Sequence, residues 1–352
     1  MVNMSEIHDS LPRISKNQLF SVIICIAVLA SFTYYFAAEN DSSHVRYIFT
    51  RKITLTNKSE DILYISENHT TFNLLMNSSW QMTQLLNASP TFRLETDKDL
   101  NPNIIFKPEM IQQGENISFS YSLQIEQRNR QHPTITLLKS GKLSDIPSTI
   151  QKKYCQQSYT WPTKDAEMER LTYQIWNKTG MSENVLGIVC ELADWIGINV
   201  KSESLDIPRH PIETLKLRLG DCDDKANLLI TMCRILGIPS FLQIGCIYGN
   251  SRTETSWDDH LTSIYYAVSF HAWAIIYIPP WGWLPFDMTI GWNKNNSING
   301  IVLAPAYSTN TFQILNITSI DWVGSSKRFK QQVIDSPLYI QDEVTIITDP
   351  PK

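Results

Sequence analysis

The chain has 352 residues, of which 43% are hydrophobic and 18% charged, a composition that excludes wholesale disorder and leaves room for two ordinary domains plus extras. A formal charge of -5, with Lys and Arg scattered rather than clustered, offers no basic footprint, so nucleic acid is not an expected partner. Six cysteines are too few for a disulfide scaffold, and no C-x-x-C spacing points to zinc.

Residues 18–38 carry no charge and are long enough, at about 1.5 Å per residue, to cross a hydrocarbon core as one helix. Arg13 and Lys16 precede this run, Glu39 and Asp41 follow it, and Tyr34 and Tyr35 sit where an interfacial belt would lie. The positive-inside rule then makes residues 1–17 a cytoplasmic tail and everything after the helix extracytoplasmic, on a single-pass cell-membrane protein. Tyr35 or Phe36 stands where signal-peptide cleavage wants a small residue, which favours an uncleaved anchor. Asn-X-Ser/Thr triplets at Asn40, Asn57, Asn68, Asn77, Asn87, Asn116, Asn177, Asn295 and Asn316 all lie beyond it, as expected of a glycan-bearing exterior.

Residues 45–126 read as strands. Tyr47, Phe49, Ile53 and Leu55 alternate with polar residues, as do Ile117, Phe119, Tyr121, Leu123 and Ile125, and such strands predict a β-sandwich domain. Residues 127–164 hold Pro133, Pro147 and Pro162 and read as a linker with one short helix near Ile150 to Tyr154. Helical spacing then marks Asp165 to Trp176 and Glu183 to Ile196, the second with Ser182 as its expected cap. A further helix opens at Asp221, with Asp224 three residues on, an apolar stripe through Leu228, Leu229, Met232 and Ile235, and Gly237-Ile238-Pro239 as its stop. Strands are expected at Phe241 to Tyr248, Ile264 to Ile278 and Trp283 to Asp287, with a polar loop over Gly249 to Thr262 and a turn at Pro279 to Gly282. Helix followed by antiparallel strands describes an α+β domain over residues 165–318. The tail, 319–352, contains short apolar runs that suit edge strands.

The chemistry concentrates in three segments. Cys222 takes the first helical position if Asp221 is the cap, and there the free N–H groups and the macrodipole favour a thiolate. His271 lies on the long strand, and Asp287 ends the strand after the Pro280 turn. A sulfur nucleophile, an imidazole that moves its proton and an acid that orients the imidazole are the parts of a thiol acyl-transfer site. On paired antiparallel strands His271 and Asp287 share a face only if the connection has an odd number of residues, three or five, which sets Asp287 opposite Trp273 and diagonal to His271. Asp223 and Asp224 oppose ionisation of the thiol by like charge, so an ion pair with protonated His271 is the expected compensation.

Gly220-Asp221-Cys222-Asp223-Asp224-Lys225-Ala226, His271-Ala272-Trp273 and Trp283-Leu284-Pro285-Phe286-Asp287, in this order, resemble the transglutaminase-like superfamily of cysteine enzymes. The resemblance extends upstream through Ala193-Asp194-Trp195-Ile196 and Pro211 to Leu215 and covers roughly residues 165 to 292. It implies a papain-like core, a Cys-bearing helix packed on an antiparallel sheet, with Cys222, His271 and Asp287 as catalytic residues; the calcium dependence of some eukaryotic relatives finds no loop motif in this sequence, and no metal or cofactor is expected. The preceding strands are similar to the β-domain found before this core in membrane-anchored prokaryotic members. The expected activity is on amide bonds of a protein or peptide at the cell envelope, through a thioester, as peptidase, amidase or transamidase. The alternative is a non-catalytic envelope binding or scaffold protein that keeps the fold. Lys201-Ser202-Glu203 stands where family members often carry an aromatic residue, which leaves the backbone N–H of Cys222 as the oxyanion donor and Trp195 as core. Trp281, Trp283 and Trp292 either line the substrate groove or pack the sheet, and Trp257-Asp258-Asp259-His260 reads as a solvated loop rather than a metal site.

Overall fold

Strict alternation over the first strand has the predicted effect: in His44–Asn57 the side chains of Tyr47, Phe49, Ile53 and Leu55 are buried while their neighbours are not. Asn116–Arg128 repeats the pattern through Phe119, Tyr121, Leu123 and Ile125. The computed structural model describes residues 44–108 and 110–349. The expected cytoplasmic tail and membrane helix lie outside them, and among the described residues no helix is long and apolar enough to cross a membrane.

The first sheet has six strands, in the order Arg252–Ser256, Leu261–Tyr266, Leu338–Thr348, His44–Asn57, Asn116–Arg128 and Gln81–Ser89. A three-stranded sheet, Thr71–Asn73, Pro102–Phe106 and Phe92–Thr96, brings the Phe72 and Phe106 rings to 6.4 and 5.2 Å from Phe119 of the larger one. Strands from residues 45–126 therefore pair with chain that comes much later. The tail is corrected in the same way: Leu338–Thr348 is an interior strand, antiparallel to His44–Asn57 from Leu338 to Thr348 and parallel to Leu261–Tyr266. Its Leu338, Val344 and Ile346 are buried, and Asp342 accepts two bonds of 2.8 Å from the Arg51 guanidinium next door. Neighbours on both sides satisfy its backbone, which an edge position would not.

Two expectations before and after the Cys222 helix also change. The predicted linker is packed: Trp161 is fully buried, donates to Asn227 Oδ1 at 3.1 Å and lies 3.8 Å beneath the Arg234 guanidinium, both partners being on that helix. The predicted strand from Ile264 to Ile278 is two strands. Leu261–Tyr266 belongs to the six-stranded sheet and Val268–Ile278 to another, and the change occurs at Ala267, whose φ of 53° is a costly left-handed turn for a residue with a Cβ. The polar loop before it holds the strand Arg252–Ser256. The helix predicted from Glu183 spans Val185–Asn199, and its cap is Asn184, not Ser182: Asn184 Oδ1 accepts from Gly187 N at 2.8 Å.

The second sheet is antiparallel, in the order Gly282–Phe286, Val268–Ile278, Ser240–Tyr248 and Thr311–Ile317. Against it lies Cys222–Ile235, buried at every residue from Asp224 to Arg234. Burial of its Leu228, Leu229 and Met232 side chains contributes roughly 1.5–3 kcal/mol each. An apolar helix clamped on all sides holds its first residue, Cys222, in a fixed place.

Candidate active site

Cys222 is the first residue of its helix, with Asp221 as cap and the Asp221 N–H donating back to Asp224 Oδ2 at 3.3 Å. Asp224 Oδ1 accepts from Arg209 N at 2.6 Å, which ties the segment before the helix to its first turn. The half-buried Cys222 also meets the second sheet: the backbone N–H groups of Ala272 and Asp223 both favour its thiolate. Ala272 is the residue after His271, so helix and strand converge on one point.

His271 sits on Val268–Ile278, opposite Gly245. A Cβ at Gly245 would come within 2.3 Å of Phe312 O and 2.7 Å of the Trp273 ring, so this position needs glycine for close approach. Trp273 is pinned by its Nε1 donating to Gln243 Oε1 at 3.0 Å, and Gln243 in turn donates to Asn316 Oδ1 at 2.7 Å. The loop between the two hairpin strands is three residues, Pro279 to Trp281, and Tyr277 pairs with Trp283. The odd count gives the register anticipated from sequence, and His271 Nε2 lies 2.5 Å from Asp287 Oδ2. With Nε2–H donated to the carboxylate, Nδ1 is the basic nitrogen of the ring. The other Asp287 oxygen accepts from Thr289 N and Ile290 N, both at 2.7 Å, and from Thr289 Oγ1 at 3.0 Å.

Cys222 and His271 line one cleft of about 610 Å³. Asp287 is fully buried behind His271, which is itself 8% exposed. Burial works against the charge on Asp287, yet the His271 hydrogen bond and charge and the two backbone N–H groups together hold its carboxyl below the usual range. Cys222 moves the other way. Burial, then the carboxylates of Asp223 and Asp221, push its thiol up, against the Ala272 and Asp223 N–H groups. Asp223 is raised by burial and by its contact with Asp221, and Asp224 is raised to about 7 by burial and the Asp221 charge. Asp221, Cys222 and Asp223 each bring one ligand atom within 4.8 Å of the others. They are three consecutive residues at the start of one helix, and the carboxyls of Asp221 and Asp223 contact each other.

Part of the cleft was not foreseen. Ser202 to Pro208 form one wall, steadied by Lys225 Nζ donating to Ser202 Oγ at 2.7 Å, and Phe270, Ile290, Arg252 and Trp322 line the rest. The Lys201-Ser202-Glu203 departure was the available signal for the first of these. Trp281, Trp283 and Trp292 are absent from the lining. Trp283 packs on Tyr154 and Phe241 at 4.8 and 5.1 Å, and Trp292 Nε1 donates to Asp194 Oδ1 at 2.8 Å. Trp195 is half-buried under the Arg218 guanidinium, 4.4 Å away. Asn57 is fully buried with its amide bonded to Asp61 O and Ile111 O, so the folded chain does not present it to a glycan. Cys155, Cys190, Cys222, Cys233 and Cys246 are all free thiols.

Residues 170–288 match the family model of the transglutaminase-like superfamily. This part of the chain is a transglutaminase-like domain. Among curated proteins it is similar to the uncharacterised protein YebA of Bacillus subtilis, at 22% identity over 233 residues that cover 58% of this chain and 31% of the relative. The chain thus spans about a third of the length of the curated relative it matches. Among solved structures, a candidate cysteine protease from Cytophaga hutchinsonii aligns over 88% of this chain and 93% of its own, with 17% identity and a TM-score of 0.52, a likeness of fold. The periplasmic domain of TgpA from Pseudomonas aeruginosa gives 13% identity, 70% and 90% coverage and a TM-score of 0.36, too weak to argue from.

Proposed function

We propose that the protein is a membrane-anchored, extracytoplasmic cysteine enzyme that breaks or exchanges amide bonds through Cys222, His271 and Asp287. The observation that carries this reading is that Cys222 and His271 line one cleft and that the buried Asp287 carboxylate is bonded to the His271 ring. Because burial and two neighbouring carboxylates disfavour a standing thiolate, proton transfer and attack go together. His271 Nδ1 takes the thiol proton as sulfur adds to the carbonyl carbon, and Asp287 holds the imidazolium through Nε2–H. The backbone N–H of Cys222, at the first helical position and without an intrahelical acceptor, stabilises the oxyanion. Collapse breaks the C–N bond, the imidazolium protonates the leaving amine, and a thioester remains. Water or a second amine, deprotonated by His271, then attacks the thioester and releases the thiol.

The membrane assignment rests on the uncharged run at residues 18–38 and its flanking charges, and the substrates in view are proteins or peptides of the envelope. The test uses iodoacetamide at neutral pH. Cys222 should be alkylated at least tenfold faster than in the His271→Ala variant. A Cys222 no more reactive in the wild type than in that variant would return the protein to the class of binding scaffolds.

A further inference from the structure

Lys225 is the one buried lysine among the described residues, 5% exposed and three residues after Cys222 on the same helix. Long cationic side chains are almost never buried unless a partner repays the loss of water. Its ammonium donates to Ser202 Oγ at 2.7 Å, a neutral hydroxyl on an exposed residue of the cleft wall, which repays little of that cost. Burial pulls the Lys225 pKa below its usual value, and the charges of Asp221 and Cys222 oppose that pull. Helix geometry explains why those two residues are the ones it meets. Lys225 N donates to Asp221 O at 3.2 Å, so the turn is closed, and helical side chains lean toward the N-terminus, over the residues three and four positions before. From position 225 those are Cys222 and Asp221. The other charged groups around this turn are engaged elsewhere. Glu203 on the wall is bound by Arg209 at 3.1 Å, Asp224 by the N–H groups of Arg209 and Asp221, and Asp223 by its contact with Asp221. On the packed elements His271 is bound by Asp287, Glu213 by Lys327 and Asp194 by Trp292. An ammonium is thus set behind a sulfur whose ionisation the Asp223 and Asp221 carboxylates oppose.

We propose that Lys225 is a positioning residue for the Cys222 reaction, whose ammonium, anchored by Ser202 one helical turn behind the sulfur, stabilises the negative charge that the sulfur gains as His271 takes its proton. The inference rests on the reading of Cys222 as the nucleophile and deepens it. In the step concerned the S–H bond breaks, its proton goes to His271 Nδ1, and a sulfur electron pair forms the bond to the carbonyl carbon. Charge builds on sulfur only during that exchange and again when the thiolate leaves the thioester, and Lys225 acts at both moments. In the resting thiol and in the thioester the sulfur is neutral, and there the ammonium does no more than hold the wall. A unit charge about 6 Å away in a poorly solvated site changes the ease of ionisation by about tenfold.

The test is the pH profile of Cys222 alkylation by iodoacetamide on the full chain in detergent, read on the Cys222 peptide by mass spectrometry. Lys225→Met keeps an unbranched stem and a good helix former, and replacing a buried charge by an apolar chain of similar volume is neutral or stabilising. Its profile should move up by about one pH unit, with alkylation at pH 7 about tenfold slower than in the wild type. Lys225→Arg, which keeps the charge, should restore most of that shift. Ser202→Ala separates charge from tether: the wall loosens and the KM for p-nitrophenyl acetate rises about two- to threefold, the range of one neutral hydrogen bond, while the alkylation profile stays in place. A profile that does not move in Lys225→Met, or that moves equally in Ser202→Ala, overturns the proposal. The Ser202→Ala result holds even if Lys225→Met does not fold, because Ser202 is exposed. A Cys222 alkylated at the same rate in the wild type and in His271→Ala sinks the enzyme reading itself. A Cys222 that depends on His271 but not on Lys225 sinks this inference alone.

Discussion

Two sets of carboxylates flank the Cys222 cleft and titrate in opposite directions. Asp287 is held below the usual range, and Asp223 and Asp224 are held above it. Burial raises all three, so burial does not separate them. Asp224 accepts from two backbone N–H groups and still stands at about 7. What differs is the neighbouring side chain: the His271 imidazole, whose hydrogen bond and charge favour the Asp287 carboxylate, and the Asp221 carboxylate beside the other two. In a poorly solvated site the sign of one close charge decides which acid stays ionised. The chain therefore keeps a charged acid behind its base and protonatable acids beside its sulfur.

The most severe way to break this contrast is Asp287→Asn. The amide cannot stabilise an imidazolium, and it can present its NH₂ to His271 and so favour the wrong tautomer. Hydrolysis of p-nitrophenyl acetate, a generic acyl donor, should fall by about two to four orders of magnitude with the fold intact by circular dichroism. Next in size is Asp221→Asn, which keeps a good helix cap while deleting the charge that raises Cys222, Asp223 and Asp224 together. Alkylation of Cys222 at pH 7 should accelerate by about three- to tenfold, and its pH profile should move to lower pH. A profile that stays in place would mean that burial and the Asp223 carboxylate hold the thiol protonated without Asp221.

This contrast was half legible in the sequence. Like-charge opposition from Asp223 and Asp224 could be read from their positions, whereas the shared face of His271 and Asp287 followed only if their strands were joined by an odd loop, which the sequence left open. Burial, the larger influence on Cys222, could not, since it depends on what packs over the helix end. Those pieces come from remote chain: Ser202 to Pro208, and Trp322 from beyond the segment that carries the motifs. The same limit explains the strand errors. Alternation runs on either side of Ala267, so nothing local marks the residue at which the chain changes sheets. Nor does the apolar run near residue 344 reveal that it will pair with residue 51. Local pattern supplied strands and helix ends, while their neighbours were set by long-range pairing.

The mildest perturbation is Asp224→Asn, and its sign follows from linkage. A carboxyl near pH 4 in the unfolded chain and about 7 in the folded one binds its proton more tightly when folded. Its contribution to stability is present in full below about pH 4 and is lost as pH rises through about 7. Asparagine cannot ionise, so the variant lacks this loss. A difference of about three units sets a ceiling of roughly 4 kcal/mol. Asn also gives up one of the two acceptor oxygens now bound to Arg209 N and Asp221 N, at a cost of about 1 kcal/mol. Removing the Asp224 charge also relieves one of the smaller influences that raise Asp223, which adds to the variant's advantage in base. Denaturant midpoints at pH 4.5 and 8 should therefore show the variant weaker than the wild type by about 1 kcal/mol in acid and stronger by about 1 kcal/mol in base. Parallel stability curves would show that Asp224 is ionised throughout, and that two backbone N–H groups can outweigh both its burial and the charge on Asp221.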